Sequence, residues 1–342
     1  MKPPSAFFIS FLGCAVCAIA VSRAFAQGPL MPPAAPAASM KTLDQIEPRT
    51  LIPDLPFSIE MPGSYYLGTN LFGESGKEGI IISSHDVTVD LNGFSLTGVA
   101  GSLHGISVEG SRDSIVIRNG TVRGWGQYGI NASLAKSSHA SGLRLIDNGL
   151  GETSTAGLFL GSGLIENCIA EGNGGSGLRA GTASSVRNCI ARNNGTWGIH
   201  AQTGSSVLSC QSISNEDDGI VLTSSGSILH CSSVLNNNDG IEVGNDSYVF
   251  GNTCRDNGDN GTGAGIHVTS PDNRIDSNNV IANETGILVV SSGSLIVRNS
   301  SRGNGGGASN YVVHASSSLG EVVNVFFSGP FTNSNPWANF SY

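Results

Sequence analysis

The chain has 342 residues, 47 of them glycine, and a formal net charge of −9. An acidic chain repels a phosphate backbone, so the composition argues against nucleic acid as a partner. The same charge favours neutral glycans, or acidic glycans bridged by calcium, over direct binding of a polyanion.

The N-terminal segment predicts export. Residues 1–26 contain Lys2, an apolar stretch from Ala6 to Val21, and the small-x-small ending Ala24-Phe25-Ala26. These features are typical of a cleaved signal peptide, and the apolar stretch is short for a membrane span. We therefore expect a mature protein without a transmembrane segment, located in the periplasm, at the cell surface or outside the cell.

Four further segments are predicted along the chain. Residues 27–40 are rich in Pro and Ala and predict an extended linker. Residues 77–318 carry an internal repeat, flanked by an N-terminal cap at 41–76 and a C-terminal cap at 319–342. Caps are expected because the end coils of a repeat array expose strand edges and core to water.

The repeat is a short phrase of glycine followed by an aliphatic residue. It recurs with a 21-residue period at Gly177, Gly198, Gly219 and Gly240. After each glycine, apolar residues flank a variable position, which is the period of a strand. Because a coil of this length is too short for a strand plus a full helix, each coil is predicted to hold short strands that pair with their counterparts one coil later. The sequence therefore predicts an all-β parallel solenoid of about ten coils.

Two further columns follow the same period. Asn173, Asn194, Asn215 and Asn236 lie four residues before each glycine and are predicted to mark bends. Cysteines lie nine residues before each glycine, and we expect one column of small, buried, free thiols that Asn278 and Asn299 continue. A disulfide between neighbouring coils is the open alternative. The expected column comprises Cys168, Cys189, Cys210, Cys231 and Cys254.

Several segments resemble a known family. Residues 87–98 and 115–124 resemble the coils of secreted bacterial right-handed parallel β-helix proteins with the pectin-lyase-like fold. Residues 55–67 and 335–340 are similar to the entry and ending of an uncharacterised subgroup of that family. The resemblance covers residues 41–342 and implies a single-stranded, right-handed β-helix. It implies no particular activity.

The variable position after each glycine predicts a row of outward-facing side chains. Trp197, Asp217, Asp218 and Asp239 are expected beside this row. Carboxylates one coil apart, best Asp217 or Asp218 with Asp239, suit the acid and base of a glycosidase. The row itself comprises Arg179, His200, Val221, Glu242, His267 and Leu288.

A polysaccharide lyase would instead use His200 or His267 as the base and Arg179 to stabilise negative charge. Asp and Asn before Gly are also ordinary turn residues, so the acidic residues alone do not establish a site.

These patterns support two interpretations. The favoured one is an exported scaffold that binds a polysaccharide or a cell-surface partner along its face without catalysis. The alternative is a lyase, hydrolase or epimerase with a cleft around residues 197–267. Its candidate catalytic residues are Asp217, Asp218, Asp239, His200 and His267, and its candidate substrate-binding residues are Trp197, Arg179 and Glu242.

No cofactor is required by either interpretation. Asp256 and Asp259 are a candidate calcium site, because they lie in a segment that lengthens one coil and supplies carboxylate oxygens.

Overall fold

The computed structural model describes residues 47–258, 261, 263–307, 309–325 and 332–342. The predicted signal peptide and linker lie outside these residues. Among the residues described, the helical structure is a four-residue 3-10 segment, Asn304–Gly307, and no helix is long and apolar enough to cross a membrane.

One strand of each coil belongs to a twelve-stranded parallel sheet. Neighbouring strands are held in register, so that Leu178 pairs with Ile199, Ile199 with Ile220, and Ile220 with Ile241. This register is the one that the 21-residue period predicts. The strands are Phe57–Ile59, Ile80–Ile82, Ile106–Val108, Ile130–Ala132, Ala156–Leu160, Ser176–Ala180, Ile199–Ala201, Ile220–Leu222, Ile241–Val243, Ala264–Val268, Thr285–Val289 and Tyr311–Val313.

The rest of each coil contributes to a 24-stranded parallel sheet. Two short strands, Arg112–Asp113 and Ala135–Lys136, form a third, small sheet. The 24 strands are Thr50–Ile52, Gly63–Leu67, Leu71–Phe72, Val87–Asp90, Ser95–Thr97, Ile115–Arg123, Ser138–Ile146, Gly163–Glu166, Ile169–Glu171, Ser185–Arg187, Ile190–Arg192, Ser206–Leu208, Gln211–Ile213, Ser227–Leu229, Ser232–Val234, Tyr248–Phe250, Thr253–Arg255, Arg274–Asp276, Asn279–Ile281, Leu295–Val297, Ser300–Arg302, Ser318–Leu319, Val322–Asn324 and Asn339–Ser341.

These sheets confirm the all-β, single-stranded parallel β-helix. The segment expected to form the N-terminal cap already contributes to the stack, since Phe57–Ile59 pairs with Ile80–Ile82. At the other end, Asn339–Ser341 pairs with Ser300–Arg302 and with Val322–Asn324.

The recurring glycines mark a close approach between coils. A Cβ atom on Gly198 would lie 2.7 Å from the carbonyl oxygen of Gly219, and one on Gly219 would lie 2.6 Å from that of Gly240. Non-bonded atoms at these distances overlap, so glycine is the residue that lets successive coils stack here. The phrase detected in the sequence is therefore a packing requirement repeated in each coil.

The asparagine column forms a buried hydrogen-bonded ladder at a bend. The side-chain Nδ2 of Asn194 donates to Oδ1 of Asn215 at 2.9 Å, and Nδ2 of Asn215 donates to Oδ1 of Asn236 at 2.8 Å. The backbone N–H of Asn194 also donates to Oδ1 of Asn215. These bonds satisfy backbone donors that a bend would leave unpaired inside the protein. The prediction that asparagine marks the bends is confirmed.

The cysteine column departs from the prediction at one position. After Cys231, the column continues through Asn252, whose Oδ1 accepts the backbone N–H of Cys231 at 2.8 Å, and then through Asn278. Cys254 lies instead within a strand, where it pairs with Ser233. The expected place of Cys254 was wrong because the step from Cys231 to Cys254 is longer than the constant step between the earlier cysteines. The expectation of buried, free thiols is confirmed for Cys168, Cys189, Cys210, Cys231 and Cys254.

Candidate functional site

The outward-facing row lies where the sequence places it. Strand pairing brings Glu242 beside His267, and it joins Arg179, His200 and Val221 in the same way. A second row, which we call the edge row, consists of the residues directly before each repeat glycine. Its members are Glu78, His104, Tyr128, Ala156, Ser176, Trp197, Asp218, Asp239, Ala264 and Thr285.

Asp239 and His267 form a closely bonded pair. Oδ2 of Asp239 lies 2.7 Å from Nδ1 of His267, and Oδ1 accepts the backbone N–H of Ala264 at 2.6 Å. The residue Asp239 is only 2% exposed, so these contacts hold its carboxylate firmly. A proton on Nδ1 is required for this bond to a carboxylate, which leaves Nε2 of His267 as the nitrogen that can accept a proton.

The charges around His267 favour its protonated form. Burial acts to lower the pKa of His267, but the hydrogen bond and charge of Asp239, with the charge of Glu242, raise it on balance. The imidazole therefore accepts a proton more readily than an isolated histidine.

Two neighbouring carboxyl groups have raised pKa values. Burial raises the pKa of Asp218 to about 7, and the charges of Asp239, Asp217 and Glu242 add to this, against the opposing hydrogen bond from the backbone N–H of Asp239. Burial, followed by the charge of Asp239, also raises the pKa of Glu242, against the opposing charge of His267. A protonated carboxyl group can donate a hydrogen bond or a proton, so Glu242, which is half-buried, is suited to act as an acid beside His267.

The same residues include a set that could hold a metal ion. Ligand atoms of Asp239, Glu242 and His267 all lie within 4.8 Å of one another. A cation bound by Nδ1 of His267 would have to displace the proton that bonds Asp239. At the calcium site considered from sequence, Oδ2 of Asp256 is paired with Nε of Arg255 at 2.9 Å. Asp259 lies outside the described residues, so that calcium site stays a prediction.

A second group of predicted residues lies nearer the N-terminus of the solenoid. The rings of Trp197 and His200 have centroids 4.6 Å apart, and the guanidinium of Arg179 stacks 4.6 Å from the ring centroid of Phe159. Burial, together with the charge of Arg179, lowers the pKa of His200 to about 4, so this imidazole is neutral at pH 7. The nearly buried Val221 separates this group from Glu242 along the row.

The predicted aspartates have different environments. Asp218 is 4% exposed, and its Oδ1 accepts hydrogen bonds from the backbone of Asp239 and the side chain of Asn238. Asp217 is half-buried and accepts a bond from the same Asn238 side chain at 3.3 Å. Because Asp218 and Asp239 are buried and hydrogen-bonded internally, the geometry does not favour them as two carboxylates that flank a substrate.

One polar cluster was not identified from the sequence. Glu78, His104 and Tyr128 are successive members of the edge row, and Ser107 and Asn131 lie beside them on the outward row. The available signal was their position directly before Gly79, Gly105 and Gly129, the same position that Asp218 and Asp239 occupy farther along the solenoid.

Comparisons with known proteins agree with this architecture. Residues 63–208 and 179–326 match the family model described as the right handed beta helix region. No curated protein matches the chain in sequence.

Several solved structures are similar to this chain at low sequence identity. The A-module of the mannuronan C-5 epimerase AlgE4 of Azotobacter vinelandii is 15% identical with a TM-score of 0.61, and the match covers 83% of this chain and 85% of that one. A double mutant of the periplasmic alginate epimerase AlgG is 13% identical with a TM-score of 0.50, covering 83% and 77%. The Dettilon tailspike protein is 16% identical with a TM-score of 0.47, covering 73% and 58%.

Proposed function

Because the chain belongs to the right-handed β-helix family, whose coils stack side chains into continuous rows, we propose that it is an enzyme that binds a polysaccharide along its twelve-stranded sheet. The reaction proposed is removal of the proton beside the carboxylate of a uronic acid unit. The observation that carries this proposal is the buried Asp239, which orients His267 next to Glu242.

The residues suit the two roles that this reaction needs. Nε2 of His267 accepts the proton from the sugar carbon, while Nδ1 stays bonded to Asp239. The electron pair left on that carbon spreads onto the adjacent carboxylate, which needs a hydrogen-bond donor. Glu242, whose pKa is raised by burial, supplies that donor when it carries a proton.

Two products are compatible with this first step. Delivery of a proton from water to the opposite face of the carbon, with release of the first proton from His267 to water, inverts the centre and gives epimerisation. Expulsion of the neighbouring glycosidic oxygen, which takes up a proton, cleaves the chain and leaves a double bond, as in a lyase. A mannuronan C-5 epimerase among the structures of similar fold makes the first outcome worth testing, although the likeness itself concerns the fold.

The geometry gives less support to the other interpretations. A glycoside hydrolase would need two carboxyl groups that reach the substrate, and Asp218 and Asp239 are buried. Binding without catalysis was favoured because Val221 and Leu288 interrupt the polar row. However, Glu242 and His267 are adjacent on neighbouring strands and Asp239 lies beside them, so these polar groups are clustered despite Val221 and Leu288.

Exchange of the sugar proton with solvent deuterium would test the proposal. The purified protein is incubated in D2O with polymannuronate, polygalacturonate or dextran, and NMR follows loss of the proton beside the carboxylate. Absorbance of unsaturated uronate separates a lyase from an epimerase. We expect exchange in at least one uronate polymer and none in dextran, which has no carboxylate.

Matched histidine variants identify the base. His267→Gln should lower the exchange rate by about 10²- to 10⁴-fold, the usual contribution of a general base. His314→Gln, at an exposed position beyond the last strand of the same sheet, should leave the rate unchanged. An exchange rate in His267→Gln equal to that of the wild type, or no exchange in either uronate polymer, would contradict the proposal.

A further inference from the structure

We propose that the twelve-stranded sheet carries a second sugar-binding site, formed by Glu78, His104, Tyr128 and Asn131, which binds another unit of the same polysaccharide without reacting with it. This inference rests on the proposed function for the identity of the polymer. The arrangement of the site itself is independent of His267 and its neighbours.

The second site lies on the same face as the first. His104 directly precedes the strand that begins at Ile106 after Gly105, and His267 lies on the strand Ala264–Val268. Seven strand spacings separate these two strands in the sheet. At roughly 4.8 Å per spacing, the two sites are about 34 Å apart along the solenoid.

The hydrogen bonds of His104 leave one ring N–H without an acceptor. Its Nδ1 accepts the backbone N–H of Tyr128 at 3.3 Å, so the neutral ring carries its proton on Nε2. That Nε2 lies 3.5 Å from Nδ2 of Asn131, which is also a donor. Oδ1 of Asn131 is directed elsewhere, because it accepts the backbone N–H of Ser133. Among the described residues, no acceptor is therefore in place for the Nε2–H of His104.

Neighbouring side chains complete a polar site of the kind that sugars need. The hydroxyl of Ser107 donates to Oε2 of Glu78, and the carboxylate retains capacity to accept from a sugar hydroxyl. The Tyr128 hydroxyl donates to the carbonyl of Ser154 at 2.9 Å, and its ring packs edge-on against His104 with centroids 5.5 Å apart. The ring is thus held in place beside the donor and the acceptor, as in small-molecule sites that combine a few fixed polar groups with an aromatic surface.

The two histidines differ in which ring nitrogen carries the proton. His267 has its proton on Nδ1, held by Asp239, which leaves Nε2 to accept a proton. His104 has its Nδ1 occupied as an acceptor, which leaves Nε2 as a donor. Burial lowers the pKa of His104 despite the opposing charge of Glu78, so the donor form persists at neutral pH. A neutral imidazole that offers only N–H binds a sugar oxygen and does not remove a proton from carbon.

The distance between the sites makes chain length the diagnostic variable. A short oligosaccharide occupies one site at a time, whereas a long polymer can occupy both. Binding at the first site then raises the effective concentration of sugar units at the second. The second site should therefore strengthen binding of long chains and have little effect on turnover of short ones.

The test measures affinity in the absence of turnover. In a His267→Gln background, polymannuronate and polygalacturonate polymers and the corresponding tetrasaccharides are titrated calorimetrically. His104→Ala should weaken binding of the long polymer on the order of 10-fold or more. Glu78→Gln, which preserves side-chain size, should weaken it in the same direction, and His314→Gln serves as the matched control. Thermal unfolding of each variant verifies that the fold is intact.

NMR of the imidazole nitrogens gives a second readout. Addition of the polymer should shift the signals that are assigned to His104 by their loss in His104→Ala. Unchanged polymer affinity in both variants, no shift of the His104 signals, or no binding of either polymer would overturn the proposal. Because affinity is measured without catalysis, a protein that binds polymer through His104 but shows no proton exchange would contradict only the proposed reaction.

Discussion

Asp218 provides a stability test of the electrostatics of the candidate site. The residue is 4% exposed, and burial raises its pKa to about 7 from an ordinary value of 3.8. Between these values the folded protein binds a proton that the unfolded chain releases. Stability is therefore lost as the pH rises from about 4 to 7, and the full cost of the charged carboxylate, about 4 kcal/mol, is present above pH 7.

Asp218→Asn removes this cost while it preserves the geometry. The amide oxygen can still accept the backbone N–H of Asp239 and the side chain of Asn238. The new NH2 group would face the negative charges of Asp239, Asp217 and Glu242, which favour a donor. We expect the stability of the variant relative to the wild type to increase by about 4 kcal/mol between pH 4 and pH 8.

Urea unfolding of both proteins at several pH values measures this difference. Comparison with the wild type at each pH cancels the contributions of groups that both proteins share. Asp246→Asn, at an exposed turn position, should change stability by less than about 0.5 kcal/mol at every pH. If the difference in the free energy of unfolding between the wild type and Asp218→Asn does not vary with pH, the raised pKa of Asp218 is refuted.

Three further expectations concern different parts of the molecule. Asp239→Asn removes the negative charge that stabilises protonated His267, so the pKa of His267 should fall and the acidic limb of the pH–rate profile for deuterium exchange should move to lower pH. If this limb does not move, His267 is not the base. Gly219→Ala places a Cβ in steric overlap with Oγ of Ser233 and should cost about 1 to 3 kcal/mol in urea unfolding, whereas wild-type stability would contradict the close stacking of the coils. The five cysteine thiols are buried, and burial raises the pKa of Cys254, so none should react with a thiol reagent at pH 8 until urea is added. Rapid reaction of the native protein would show that the thiols are accessible.

The repetitive part of the fold was predictable because one interaction recurs in each coil. The glycine at positions such as 198 and 219 faces a carbonyl of the next coil, so the close contact requires glycine at a fixed spacing in the sequence. Where the period changes, prediction failed. Cys254 was assigned to the wrong column because its spacing from Cys231 exceeds the 21-residue period.

The candidate site was predictable in position but not in detail. The register brought Glu242 and His267 together as expected. The sequence could not distinguish Asp218, which is buried, from its neighbour Asp217, which is only half-buried, because that depends on how the turn directs each side chain. His104 was overlooked because the coils around it are longer than the 21-residue period and unequal in length, so that no constant spacing marks its place in the edge row.

The in-register stacking of the twelve-stranded sheet also has an evolutionary consequence. Each coil of the 21-residue repeat contributes one repeat glycine and one asparagine of the ladder, in register with the next coil. Duplication or loss of a complete coil would therefore preserve both neighbouring interfaces and change the length of the solenoid by about 4.8 Å. The separation between two groups on this face can thus be adjusted genetically in discrete steps, with no redesign of either group.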